Sequence, residues 1–198
     1  MDCVELSIKS LEEKCNTWAC GIKKTFNPDL VIYIARGGYL IGKAMSDVFH
    51  TPLLAINSQR HGNSLKELLV PILSRLPRRL CNLLREIELK SNIHNKKNNR
   101  SISFVLDTVY LDTNSIHKII IVDDSIDTGI SMSMAVDLVK KNFPKSEVKT
   151  AALNVMDASE AVIKIDYCCY KNVMLRTPMS KDSKEYQKFC KLYELQRK

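Results

Sequence analysis

The stretch Ile119-Ile120-Ile121-Val122-Asp123-Asp124-Ser125-Ile126-Asp127-Thr128-Gly129-Ile130-Ser131 decides how this chain folds. Its first four residues are β-branched and apolar, which is typical of a strand buried on both faces of a parallel sheet. Two adjacent carboxylates follow, and a third comes three residues later, at the edge where α/β sheets place ligands. The hydroxyl-rich turn at Thr128 then opens a helix, whose N–H groups and dipole suit an anion. The stretch therefore predicts an anion-binding turn beside carboxylates.

A second turn of small residues follows an earlier strand of the same kind. Leu30–Ile34 is continuously apolar, and Ala35-Arg36-Gly37-Gly38 interrupts it before apolar residues resume at helical spacing over 39–49. A short strand over 52–56 completes a strand–helix–strand unit, which implies parallel strands covered by helices. We expect the backbone to approach a ligand closely at both turns, because they hold three of the six glycines in the chain: Gly37, Gly38 and Gly129.

The remaining pattern predicts one α/β domain over residues 1–198. The core sheet is expected within 28–57 and 118–155, and residues 156–198 are expected to form a small hood and a C-terminal helix. The predicted elements are helices over 4–22, 130–142 and 184–197, strands over 119–122, 148–155 and 166–170, and a short helix or turn over 158–165.

Residues 58–117 are predicted to be an insertion. Ser64 and Glu67 form a capping box, and they open a leucine-rich helical stripe over 65–87 that Pro71 and Pro77 interrupt. Because the leucines exceed what one helix face needs, we expect a homodimer built on part of that surface. Residues 91–100 are polar and aperiodic, which predicts a flexible loop, and 101–110 favours a strand. Residues 60–100 carry ten Lys or Arg against three Glu, a net +7, which leaves a partner for this segment open.

Composition excludes several classes of protein. The 198 residues are 45% hydrophobic and 26% charged, with a net charge of +8, which is typical of a soluble globular protein. Apolar runs are far shorter than the roughly 18–20 residues that a membrane span needs, and the acidic N-terminus resembles neither a secretory signal nor a transit peptide. The seven cysteines lack a C-x-x-C pair, and the four histidines show no ligand spacing. We therefore expect a cytoplasmic protein with reduced thiols and no zinc site.

The string VDDSIDTG at 122–129 resembles the motif with which type I phosphoribosyltransferases bind 5-phosphoribosyl 1-pyrophosphate (PRPP). The turn Ala35-Arg36-Gly37-Gly38 resembles the family's pyrophosphate loop, most of all that of the xanthine–guanine and hypoxanthine enzymes. The order and separation of the two turns match the family, and the likeness spans residues 28–155. It implies the α/β fold of these enzymes, a Rossmann-type parallel sheet flanked by helices, with a helical insertion and a small hood.

The resemblance also implies a role for the residues of both turns. Asp123 and Asp124 would hold the ribose hydroxyls, partly through Mg²⁺, the expected cofactor. Asp127 would be the general base and Arg36 would stabilise the departing pyrophosphate, so these two are the candidate catalytic residues. The Ala35–Arg36 bond is expected to be a cis peptide. The full PRPP-binding set is Ala35, Arg36, Gly37, Gly38, Asp123, Asp124, Ser125, Ile126, Asp127, Thr128, Gly129, Ile130 and Ser131, where Ser131 replaces the threonine usual in the family.

The acceptor side departs from the oxopurine enzymes of the family. Those enzymes read the base with a lysine near the end of the strand after the PRPP helix, and Asn154 aligns there. They also stack the base on an aromatic residue in the hood, whereas the chain around Pro178 offers Met174 and Arg176 and no aromatic residue. The candidate acceptor contacts are therefore Asn154, Met174 and Arg176.

Three functions follow from these observations. The first is transfer of the phosphoribosyl group from PRPP to a small-molecule acceptor, a purine-like nucleobase, with release of pyrophosphate. The second is transfer to a non-base acceptor, such as a saccharide in polysaccharide biosynthesis. The third is a PRPP-sensing regulator that acts through nucleic acid, which the basic segment suggests. The intact Asp127 and Arg36 turn favour retained catalysis, so nucleic acid is the least expected partner.

Overall fold

A six-stranded sheet forms the centre of the computed structural model, which describes residues 2–60, 100–105 and 115–196. Its strands, numbered along the chain after a short β1 (Cys3–Glu5), are β2 (Leu30–Ile34), β3 (Leu53–Arg60), β4 (Arg100–Phe104), β5 (Lys118–Ile126), β6 (Glu147–Val155) and β7 (Tyr167–Lys171). They lie in the order β4-β3-β2-β5-β6-β7, and every neighbouring pair is parallel except β3 with β4. The predicted α/β class is confirmed.

Four helices in the described ranges flank this sheet: α1 (Ile8–Lys23), α2 (Tyr39–Phe49), α3 (Ile130–Asn142) and α4 (Tyr186–Gln196). The segment 158–165, predicted to be a short helix or turn, begins with a 3₁₀ turn over Asp157–Ser159. Among the described residues, no helix has the length and apolar character required to cross a bilayer.

The apolar run that opens β5 builds the core on both faces of the sheet. Ile120 and Val122 face the side covered by α1, α2 and α4, where Phe189 and Tyr193 are buried. Ile119 and Ile121 face the side covered by α3. All four β5 residues are 0% exposed, because successive side chains of a strand alternate between faces and helices cover both.

The N-terminus differs from its prediction. Val4 is not the first residue of a helix, because residues 3–5 form β1, which pairs in parallel with β8 (Met174–Arg176) as a separate two-stranded sheet. Helix α1 begins only at Ile8, after Ser7 caps it by accepting a hydrogen bond from the Ser10 N–H at 3.1 Å. Since β8 is about 170 residues away in sequence, local periodicity gave no sign of this pairing.

Within the insertion, the structure describes residues 58–60, 100–105 and 115–117. Strand β3 runs past the predicted 52–56 to Arg60, because it pairs with β4, and β4 includes Arg100, which was predicted to lie in a loop. The predicted helix and dimer surface over 65–87, most of the loop and basic segment over 61–99, and residues 106–110 of the predicted strand lie outside the described residues. The assignment of residues 1–198 to one domain stays a prediction.

Candidate active site

Residues 123–131, here called the carboxylate segment, begin inside strand β5 and not after it. The ladder between β5 and β6 continues past Val122 to the pairs Asp123–Ala152, Ser125–Asn154 and Ile126–Val155. The predicted strand end at 122 was therefore too early, because backbone pairing with β6 extends the strand through polar residues. The carboxylates are consequently fixed on a regular strand, which positions them more rigidly than a loop would.

Gly129 closes the carboxylate segment at the start of α3. Its φ is +76°, in the left-handed region that glycine adopts without strain. A Cβ at this position would lie 2.8 Å from Ile163 Cγ2 and 3.1 Å from the Ser159 carbonyl oxygen. The glycine is required here both by its backbone conformation and by the hood residues packed against it.

Residues 35–38, here called the arginine turn, lie directly against the carboxylate segment. The Ala35–Arg36 peptide bond is cis, as expected. A Cβ on Gly37 would lie 2.5 Å from Asp124 Oδ1, and one on Gly38 would lie 2.6 Å from the Val122 carbonyl oxygen. The two motifs, which are about 90 residues apart in sequence, therefore meet at the carboxyl ends of the adjacent strands β2 and β5.

A cavity of about 270 Å³ opens where the two segments meet. Among the described residues, its wall includes no Lys or Arg side chain, and Arg36, Gly38 and Ile130 of the predicted PRPP set do not line it. Ser58 of β3 lines it and was not predicted, because the sequence indicated a strand end at 56. The wall is formed by Ile34, Ala35, Gly37, Ser58, Asp123, Asp124, Ser125, Ile126, Asp127, Thr128, Gly129, Ser131 and Met132.

The carboxylates make this cavity strongly acidic. Burial raises the pKa of the Asp123 carboxyl well above its usual range, and the charges of Asp124 and Asp127 raise it further. The Asp124 N–H opposes the shift, because it donates a hydrogen bond of 2.9 Å to Asp123 Oδ1. Like charges held this close favour a ligand that brings hydroxyl donors or a cation.

The donor set fits a magnesium ion that is held partly by a substrate. Within the described ranges, no group of three or more His, Cys, Asp or Glu side chains forms a metal cage. Mg²⁺ is commonly bound by one or two carboxylates together with substrate oxygens and water. The adjacent carboxylates of Asp123 and Asp124 are a pair of that kind.

Asp127 is held by a hydrogen bond from within its own segment. The Ser125 hydroxyl donates to Asp127 Oδ1 at 3.2 Å. Asn154 of β6 in turn donates from Nδ2 to the Ser125 hydroxyl oxygen at 3.4 Å. Sequence reasoning included Ser125 in the PRPP set but did not connect it to Asn154.

Arg36 points towards helix α4. Its guanidinium carbon lies 5.9 Å and 5.8 Å from the ring centroids of Tyr186 and Tyr193. Its Nη2 donates at 3.4 Å to the Tyr186 hydroxyl and to Cys190 Sγ. Burial raises the pKa of the Tyr186 hydroxyl, and the Arg36 charge opposes that shift. These partners were not predicted, although 186, 190 and 193 share one face of the predicted C-terminal helix.

The three candidate acceptor residues lie inside the fold. Asn154 is 1% exposed and bonds to both backbone groups of Val173. Met174 is buried in β8. Arg176 is 3% exposed, and its Nε donates to Asp182 Oδ2 at 2.8 Å, while Glu5 lies 3.9 Å away. Each of these side chains is buried among partners within the protein, and their role as acceptor contacts stays a prediction.

Comparison with known families agrees with the fold and with the two turns. The model of the phosphoribosyl transferase domain matches residues 6–187, so the chain belongs to the phosphoribosyltransferase family. The resemblance noted in the sequence is thereby confirmed. No curated protein sequence gives a significant match.

Solved structures of the same fold are distant in sequence. The xanthine–guanine–hypoxanthine phosphoribosyltransferase of Helicobacter pylori superposes with a TM-score of 0.64 at 12% identity, over 94% of this chain and 99% of its own. The purine phosphoribosyltransferase of Pyrococcus horikoshii gives 0.57 at 19% identity, over 90% and 93%. A hypothetical protein of Neisseria gonorrhoeae with bound ppGpp gives 0.61 at 13% identity, over 98% and 97%. At these identities the likeness establishes the fold.

Proposed function

We propose that this protein transfers the 5-phosphoribosyl group of PRPP to a nucleobase and releases pyrophosphate. The observation that carries the proposal is the cavity in which the carboxylate segment meets the arginine turn. Its wall combines carboxylates, hydroxyl groups and the N-terminus of α3, which match ribose hydroxyls and a phosphate. An acidic cavity of this kind is unusual for a phosphorylated ligand unless hydroxyls or a cation face the carboxylates.

In this proposal, each part of PRPP has its own partners. Asp123 and Asp124 accept hydrogen bonds from the ribose hydroxyls. Thr128, Ser131 and the first N–H groups of α3 bind the 5′-phosphate, and Gly129 allows the backbone to approach it. Arg36 binds the pyrophosphate after its side chain leaves Tyr186 and Tyr193. The guanidinium can move because its contacts with these residues are long and partly exposed.

The reaction is a displacement at C1 of the ribose. A base nitrogen forms the new bond to C1 while the bond from C1 to the pyrophosphate oxygen breaks, with inversion at that carbon. Asp127 accepts the proton that the base nitrogen loses, and the neighbouring carboxylates stabilise positive charge on the ring. Mg²⁺, when bound, supplies charge neutralisation to the pyrophosphate.

A second candidate is transfer to a non-base acceptor such as a saccharide. It is favoured by one observation: Asn154, which aligns with the base-reading lysine of the oxopurine enzymes, is hydrogen-bonded to Val173.

The proposal also places the protein in the cytoplasm as a homodimer. Its described cysteines are all free thiols, as expected there.

The test is calorimetric titration with PRPP, with and without Mg²⁺, followed by a screen of nucleobases and saccharides for pyrophosphate release. We expect Mg²⁺-dependent binding and turnover with one nucleobase. Asp127→Asn is the matched variant: it should bind PRPP as the native protein does and lose about 100-fold or more in kcat. Failure to bind PRPP overturns the proposal, and turnover of a saccharide alone selects the second candidate. Binding without any turnover indicates a sensor.

A further inference from the structure

A buried side chain connects the hood to the candidate general base. Asn154 lies in β6 and is 1% exposed. Its Oδ1 accepts from the Val173 N–H at 3.3 Å, and its Nδ2 donates to the Val173 carbonyl at 2.9 Å. Because one peptide group supplies a donor and the other an acceptor, the amide has only one favourable orientation. Nδ2 therefore keeps a second proton, which has two acceptors in reach, the Ser125 hydroxyl oxygen at 3.4 Å and Met156 Sδ at 3.7 Å. The hydroxyl oxygen is the better acceptor, because a thioether sulfur accepts only weakly.

The direction of the next hydrogen bond follows from the first. The Ser125 oxygen accepts from Asn154, so its single proton is available for another acceptor. Asp127 Oδ1 lies 3.2 Å away and, as a carboxylate oxygen, can only accept. The four groups thus form one directed chain: the Val173 carbonyl fixes the Asn154 amide, the amide fixes the Ser125 hydroxyl, and the hydroxyl fixes one oxygen of Asp127.

We propose that Asn154 and Ser125 are positioning residues that orient the Asp127 carboxylate, and that the hood sets this orientation through Val173. The inference rests on the proposed function, in which Asp127 accepts a proton. Asp127 needs such support because the left-handed Gly129 and a tight turn follow it, so its own segment leaves the side chain exposed to the cavity. A misplacement of about 1 Å in a reacting group costs on the order of 100-fold in rate.

The chain also explains the choice of residues. Ser125 and Asn154 are direct neighbours in the pairing of β5 with β6, so that one short hydroxyl and one short amide reach each other across the ladder. A hydrophobic residue at 125 would leave Asp127 without its donor, and one at 154 would leave the Ser125 hydroxyl without the amide that orients it. The inference therefore concerns specific polar atoms and not merely burial.

The first readout does not require turnover. With ¹³C-labelled aspartate, the Asp127 carboxyl signal is identified by its loss in Asp127→Asn. We expect Ser125→Ala to shift this signal and Ser125→Thr, which keeps the hydroxyl, to leave it close to its native position. Asn154→Leu removes the Nδ2 donor at nearly constant shape without adding a charge, and it should shift the signal as well. In a Ser125→Ala background, Asn154→Leu should add nothing, because its effect passes through Ser125.

Ser146→Ala is the matched control. The Ser146 hydroxyl donates to the Ile116 carbonyl at 2.6 Å, at the opposite end of β5 and β6. The Ser146→Ala change removes one hydroxyl hydrogen bond, as Ser125→Ala does, and should lower the free energy of unfolding without moving the Asp127 signal. If Ser146→Ala shifts the signal as much as Ser125→Ala, or if Ser125→Ala leaves it unchanged, the positioning role is overturned. Should Asn154→Leu fail to fold, Ser125→Ala and Ser125→Thr decide the matter alone.

The second readout is kinetic. With the nucleobase found in the screen, Ser125→Ala should lower kcat about 10-fold while KM for PRPP changes less than about 2-fold, and Ser125→Thr should restore most of kcat. In an Asp127→Asn background, Ser125→Ala should have no further effect on kcat. An equal loss in both backgrounds overturns the proposal. If the native protein shows no turnover, the proposed function fails, and the carboxyl signal still decides whether Asn154 and Ser125 position Asp127.

Discussion

The carboxylate segment and strand β8 differ in whether their charged side chains have partners of opposite charge. The carboxylate segment brings Asp123, Asp124 and Asp127 together, and burial, followed by the charges of the other two carboxylates, raises the pKa of Asp123. In β8, the buried Arg176 is paired with Asp182 at 2.8 Å, with Glu5 nearby. The comparison indicates that a buried charge with a partner of opposite sign stabilises the fold. Like charges held close together favour the binding of a ligand that brings hydroxyl donors or a cation.

The largest expected effect comes from removing the repelling charges. Asp123→Asn with Asp124→Asn should weaken PRPP–Mg²⁺ binding about 100-fold or more, since two charge-assisted hydrogen bonds of about 1.5–3 kcal/mol each are lost. The variant should remain folded, because the repulsion is relieved. Calorimetric titration measures the affinity and circular dichroism checks the fold. Asp137→Asn, at an exposed position of α3, is the control and should bind as the native protein does. Undiminished binding in the double variant would contradict the comparison.

Removing the partner of the buried Arg176 should lower stability and leave PRPP binding unchanged. Asp182→Asn leaves the buried Arg176 with a weaker partner and should lower the free energy of unfolding by about 1–3 kcal/mol. PRPP affinity should stay within about 2-fold of the native value, since the pair lies outside the cavity wall. Urea denaturation and titration of the same sample measure both quantities. A loss of affinity with unchanged stability would contradict the assignment of this pair to the fold.

Gly129 tests whether a residue of the carboxylate segment can also contribute to stability, because it packs against the hood. Gly129→Ala should destabilise the protein by about 1–2 kcal/mol, since alanine is strained at φ +76° and its Cβ meets Ile163. Gly21→Ala is the matched control. That glycine lies in α1, where a Cβ meets nothing within 4 Å, and the change should stabilise by about 0.5–1 kcal/mol. Thermal unfolding of both variants checks the opposite signs.

The smallest effect is a pH dependence of stability. The pKa of Asp123 is raised in the folded state, so the native protein holds this proton more tightly than the unfolded chain does. Stability is therefore lost as pH rises from the ordinary carboxyl range through the raised pKa. Asp123→Asn, which cannot ionise, should be more stable than the native protein by on the order of 1 kcal/mol at about pH 8 and should show no such gain at about pH 3. A pH-independent difference in urea denaturation would show that burial and repulsion do not disfavour the ionised form of Asp123 in the folded protein.

Most of the sheet could be predicted because it depends on local patterns. The β-branched runs at 30–34 and 119–122 and the helical spacing over 39–49 and 130–142 each define an element without reference to the rest of the chain. The cis bond and the meeting of the two turns followed from the family resemblance. Strand β1, the extension of β5 and the antiparallel pairing of β4 were missed, because each depends on a partner strand distant in sequence.

The candidate site divides along the same line. The sequence by itself determined the carboxylate segment, since adjacent carboxylates, hydroxyls and a glycine at a strand-to-helix turn carry their chemistry wherever they lie. Only the tertiary structure decided that Asn154 joins Val173 to Ser125, that Arg176 is neutralised by Asp182, and that Arg36 rests on Tyr186 and Tyr193. The physical reason is that the role of a polar side chain depends on which donor or acceptor lies within hydrogen-bonding distance of it. The packing of strands and helices sets these distances, and the order of residues does not contain them.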